Sequence, residues 1–278
     1  MTTPYLLDTS AFRALASDTL VRLAAERPLL VSPFCFWEIL SHLDEPDQFR
    51  RVKGNLMKFR HVRVLDDPEA ISLAELGATS LLGARVSDDD LIYACLAALQ
   101  ESDSPSSFSS KHIRDSQGNV RTLSECVARA NDLLRAQEER FLRFVRQIVD
   151  SVKAGTSTLG TPWDLHRATV SLANGWHIAR CGQPLNEDVR VLRVLYVYFA
   201  FVVFCARDYL APSRVNGDLN DYEDARLCQH VRLDVPCMIV SADGRQRGRL
   251  KEIFTLLETV AVPQLEHAHQ VLAAKDLS

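Results

Sequence analysis

Seven side chains in this sequence are of the type and spacing that can work on a phosphate ester. Two apolar runs stop on a carboxylate, Tyr5-Leu6-Leu7 at Asp8 and Met238-Ile239-Val240-Ser241-Ala242 at Asp243. Each end has a serine within two residues, Ser10 and Ser241. Glu38 lies inside the otherwise apolar stretch Phe34-Cys35-Phe36-Trp37, and Asp221 and Asp224 stand three residues apart, on one face of a helix. Carboxylates brought together repel unless a cation neutralises them or some of them hold protons. Oxygen ligands of this kind suit Mg²⁺ or Mn²⁺, ions that can lower the pKa of a bound water and stabilise charge on a phosphodiester. The two serine hydroxyls are placed to fix a carboxylate rotamer or a metal-bound water.

Positioning these groups requires a parallel α/β sheet. Strand C-termini and helix N-termini share one edge of such a sheet, so acids far apart in sequence converge there. The pattern supports this at both ends of the chain. After Asp8 a helical stretch fills 11–26, Leu29-Leu30-Val31 is a second strand, and Ser32-Pro33 is an N-cap with proline at the first helical position. A basic helix over 47–61, with Arg50, Arg51, Lys53 and Lys58, leads to a third strand at His61–Leu65. Residues 69–210 show helical periodicity and no strand, with helices near 69–82, 88–101, 122–153, 162–180 and 187–210 and loops at 101–110 and 154–162. The α/β pattern resumes with a helix from Asn220, the strand ending on Asp243 and a helix near 246–258. A short strand at Thr259–Val262 and a helix over 264–275 complete it. The expected organisation is an α/β domain from 1–68 and 211–278, interrupted by an all-helical insertion over 69–210 whose last helix packs on the sheet.

Composition narrows the partners. A formal charge of −4 gives no global attraction to nucleic acid, so any such contact uses local patches. The candidates are Lys53 and the run Arg245, Arg247, Arg249 that follows Asp243. Seven scattered cysteines, with no Cys-x-x-Cys pair, predict reduced thiols and a cytoplasmic protein. The apolar run Val194–Ala206 lies between Arg193 and Arg207 and is too short for a bilayer, which needs about 20 residues, so a buried helix and no membrane partner are expected.

Three segments carry a family resemblance. "LLDTSAF" resembles the first-strand motif of PIN-domain nucleases, "SPFCFWEIL" their helix with the second acid, and "NDYEDARLCQHVRLDVPCMIVSADG" their third-acid helix and final strand, with Ser241 in place of the usual threonine. The resemblance implies a three-layer PIN-like fold and an Mg²⁺- or Mn²⁺-dependent endoribonuclease. It assigns the catalytic acids to Asp8, Glu38, Asp224 and Asp243, with Asp221 as a further ligand or a helix cap. It also implies RNA as substrate, a toxin-like role with an antitoxin-like protein partner, and pairing into homodimers. Two other functions fit the same residues. One is a weakly active PIN-like module that binds RNA or protein. The other is an acid-cluster phosphohydrolase, which the lack of a Gly-rich phosphate loop and of an Asp-x-Asp pair disfavours.

Overall fold

The computed structural model describes residues 2–43, 48–75, 89–114, 118–184, 189–211, 220–260 and 269–278. The chain opens with strand β1 (Tyr5–Leu7), which stops where the Asp8 carboxylate accepts the N–H of Ser10 at 3.2 Å and caps helix α1 (Thr9–Ala14). The helical stretch expected over 11–26 breaks into α1 and α2 (Ser17–Glu26). Lys58 donates to the carbonyls of Arg13 and Leu15, at 3.0 and 2.8 Å, and so satisfies the open C-terminus of α1. Strand β2 (Leu29–Val31) leads to α3 (Pro33–Ser41), with Ser32 as N-cap, then α4 (Phe49–Leu56), a 3-10 turn (Met57–His61) and β3 (Arg63–Val64).

The middle of the chain comprises α5 (Pro68–Glu75), α6 (Asp89–Gln100), α7 (Pro105–Ser109), β4 (His112–Arg114), β5 (Val120–Thr122), α8 (Leu123–Lys153), α9 (Pro162–Cys181) and α10 (Val189–Tyr209). Helix α11 (Asn220–Cys228), β6 (Met238–Ser241), α12 (Gly244–Thr259) and β7 (Gln270–Ala273) follow. Two expectations for the middle are corrected. β4 and β5 form an antiparallel pair where no strand was expected, and the serine tract contains α7, started by a Ser104–Ser107 capping box. Three-residue strands carry too little periodicity to be seen in sequence.

At the C-terminus the expected helix over 264–275 is replaced by β7, paired in parallel with β6 from Met238↔Gln270 to Ser241↔Ala273. Leu and Ala there favour a helix, and pairing with an open sheet edge overrides that local preference. Of the strand expected at Thr259–Val262, Thr259 is the last residue of α12, and 261–262 lie outside the described residues, as do all of 261–268.

The sheet order is β3-β2-β1-β6-β7, all parallel. The chain builds outward from β1 through β2 to β3, then returns to the other side of β1 with β6 and β7. The order therefore reverses between β1 and β6, the place where open α/β sheets hold ligands. Strand β1 is buried on both faces, as the centre of a parallel sheet must be. Tyr5 and Leu7 pack into one apolar layer with Phe12, Phe36 and Phe59, whereas Leu6 and Ile239 pack into the other with Val197, Phe201 and Leu250. The architecture is α/β with helices on both faces of the sheet.

Helix α8 joins both layers, with Leu123 and Val127 in the first and Phe141, Val145 and Val149 in the second. Helix α10 carries the apolar run and is buried in the second layer against Leu6 and Ile239. Among the described residues no helix is long and apolar enough to cross a membrane. All seven cysteines are free thiols.

Candidate metal centre at the sheet switch point

The site is assembled first from backbone. The N–H of Asp8 donates to the carbonyl of Val240 at 2.9 Å, which ties the ends of β1 and β6 together across the switch point. Asp8 is only 7% exposed. Its Oδ2 accepts the hydroxyls of Ser10 and of Ser241, the latter at 3.1 Å. Those hydroxyls also accept from backbone: Ser10 Oγ takes the N–H of Ala242 and of Asp243 at 3.0 and 3.2 Å, and Ser241 Oγ takes the N–H of Asp243 at 3.0 Å. The two serines thus lock the carboxylate of Asp8 to the loop that presents Asp243. Burial raises the pKa of Asp8, and the hydrogen bonds from Ser10 and Ser241 oppose that rise.

Asp243 caps α12, with Oδ1 accepting the N–H of Arg245 at 2.7 Å. Glu38 comes from α3, where it is bonded by the Thr9 hydroxyl and lies 3.7 Å from the Arg13 guanidinium. Burial, and then the charge of Asp8, pushes Glu38 up to about 7. Asp224 of α11 is 6% exposed, and its Oδ2 has no hydrogen-bond partner. Burial holds its carboxyl well above the usual range, reinforced by the charges of Asp8, Asp243 and Asp221 and opposed by Arg249. The charge of Asp8 acts on both Glu38 and Asp224, and that of Asp243 on Asp224, so the four acids influence one another electrostatically.

Glu223 is an acid that sequence reasoning did not nominate. Burial, followed by the charges of Glu38, Asp8 and Glu138, raises it to about 8. Its only signal in sequence is membership of the Asn220–Asp224 acidic turn, and adjacent helical positions do not face the same way. Glu138 belongs to α8, which packs against both α3 and α11, so the central helical block brings its own charge to the rim.

Asp221 and two of the basic residues have a different role from the one expected. Asp221 is fully buried and neutralised: Arg249 donates to Oδ1 at 2.8 Å, Arg245 bonds the same oxygen, and Tyr209 donates to Oδ2 at 2.8 Å. Both oxygens of Asp221 are thus bound within the protein, and its charge is paired with two arginines. Arg249, 2% exposed, also bonds Asp208 at 2.7 Å, so it fastens α12 to α10 and α11 and does not reach a nucleic acid. Lys53 donates to the carbonyl of Ser102 at 2.6 Å and serves to anchor the end of α6. Arg247 remains beside the site, where it donates to the Ser241 carbonyl at 2.8 Å, and Arg245 is partly exposed next to it.

Among the described residues no three His, Cys, Asp or Glu side chains are close enough together to hold one ion. The residues still fit a hard divalent cation. Mg²⁺ keeps several waters and takes one or two carboxylates, and the unpartnered Asp224 oxygen is a buried acceptor in need of a cation or donor. Compared with family models, curated proteins and solved structures, the chain gives no significant match in any of the three.

Proposed function

We propose that the chain is a PIN-like, divalent-metal-dependent ribonuclease that hydrolyses RNA phosphodiesters. The observation that carries the reading is the buried Asp224 carboxyl with one unpartnered oxygen, which feels the charges of Asp8 and Asp243 beside the β1–β6 switch point, while Asp8 in turn acts on Glu38. Asp8 and Asp224 would hold the ion, with Asp243 completing the acidic edge. The bound ion would supply charge neutralisation at the phosphate and a water of lowered pKa. Ser10 and Ser241 keep the Asp8 carboxylate in one orientation. Glu38, with a pKa of about 7, is poised to accept a proton from an attacking water near neutral pH. The choice of RNA rests on the resemblance of the three sequence segments to PIN-domain nucleases.

The test is incubation of labelled single-stranded RNA with the purified chain and Mn²⁺. Cleavage that requires Mn²⁺, is abolished by EDTA and falls at least about 100-fold in Asp8→Asn is expected, the upper end of what loss of one metal-organising group costs. Cleavage that persists in EDTA and in Asp8→Asn overturns the reading. Hydrolysis of nucleoside monophosphates but not of RNA would favour a phosphohydrolase.

A further inference from the structure

A cavity of about 160 Å³ opens between α1, α3 and α4. Its polar lining comes from Arg13, His42, Gln48, Arg51 and Asn55, over a floor that includes Ile39. The volume far exceeds the roughly 10–15 Å³ that one water needs. Gln48, Arg51 and Asn55 recur at the helical spacing that presents one face of α4, and Arg51 bonds Gln48, which holds the guanidinium at the cavity wall. Arg13 connects this cavity to the acids, because the same side chain lies 3.7 Å from Glu38. Two guanidiniums, an imidazole and two side-chain amides around one concavity form a donor-rich set, with no carboxylate among the described lining residues. Guanidinium forks match the tetrahedral oxygens of a phosphate, and amides add neutral donors.

We propose that this cavity is a phosphate subsite, which holds a backbone phosphodiester of the nucleic-acid strand whose neighbouring bond lies at the acidic centre. The identity of the ligand rests on the nuclease reading; the cavity and its donors do not. Arg13 is shared between the subsite and Glu38, so an occupied subsite fixes the strand relative to the carboxylate that faces the water. The contact is to backbone and carries no sequence preference.

The test uses the full chain and a labelled single-stranded RNA in Ca²⁺, with the RNA checked by gel to be intact. Arg51 is exposed and Gln48→Glu is nearly isosteric, so both Arg51→Gln and Gln48→Glu should retain the fold. Each is expected to weaken binding about tenfold, as loss of one charge-assisted hydrogen bond does. Arg51→Gln should also flatten the slope of log K against log salt by about 0.7. Arg180→Gln, at the end of α9 in the opposite layer, should change neither quantity. Variants that bind as the wild type does, or a wild type that binds no RNA, overturn the subsite. Inorganic phosphate that competes equally well with the wild type and with Arg51→Gln would also overturn it. RNA left uncut in Mn²⁺ while binding remains sensitive to Arg51 would sink the nuclease reading alone.

Discussion

Through its hydroxyl, Ser241 donates to the Asp8 carboxylate and accepts from the Asp243 backbone N–H. Replacing it with alanine leaves Asp8 Oδ2 with the Ser10 hydroxyl and the Ser10 N–H as its partners, and frees the loop that carries Asp243. Ser241→Ala should therefore lower RNA cleavage by roughly 10–100-fold and raise the Mn²⁺ concentration needed for half-activity, with little change in melting temperature. Ser241→Thr, which keeps the hydroxyl, should restore most of the activity. Unchanged metal dependence in Ser241→Ala would mean that the serine only packs. At this scale the sequence was informative, because a carboxylate that ends a buried strand with a hydroxyl two residues away is a local pattern. Glu223 was not legible, since its charge environment comes from Glu38, Asp8 and Glu138, which belong to other elements.

Between elements, the deciding contact is the ion-pair group of Arg249, Asp221 and Asp208, which joins α12, α11 and α10. Both Asp221 and Arg249 are buried, so truncating the arginine strips a buried carboxylate of one of its two cations. Arg249→Met should cost about 3–5 kcal/mol, read from the urea midpoint, because an uncompensated buried charge is far costlier than a lost surface pair. A change below about 1 kcal/mol would show the group to be as weak as an exposed ion pair. In sequence, Arg245, Arg247 and Arg249 look like one basic run beside an acid. Turned into a helix, the same run divides: Arg249 points into the core while Arg247 reaches the Ser241 carbonyl. The short β4–β5 pair and β7 were hidden for a related reason. Strands of three or four residues are selected by the partner they pair with, and propensity along the chain has little weight there.

For the molecule as a whole, the crowded acids connect stability to pH and to metal. Glu38 and Glu223 hold protons up to about 7 and about 8 in the fold, against an ordinary glutamate value of 4.5. Between those limits the folded state binds more protons than the unfolded one. Their contribution to stability is therefore complete below about pH 4.5 and is lost as pH rises through about 7 and 8. In EDTA, the melting temperature of Glu223→Gln should rise relative to the wild type between pH 5 and pH 9. Mn²⁺, which binds the folded state, should stabilise the wild type more at pH 8 than at pH 5. A pH-independent difference between the two proteins would show that Glu223 is not buried among like charges.

The sequence by itself determined the α/β class, the parallel pairing of the sheet and the strands that end on Asp8 and Asp243. All of these follow from local periodicity and from the rule that strand ends and helix starts share one side of the sheet. Only the tertiary structure separated the surroundings of Asp221 from those of Asp224. The two lie three residues apart on one helix face, and both are buried. Asp221 meets Arg245, Arg249 and Tyr209 and is consumed by them, while Asp224 faces Asp8 and Asp243 with an oxygen left unpartnered. That difference depends on the distant side chains each carboxylate meets, and those are brought to it by α10 and α12, not by its own neighbours in the chain.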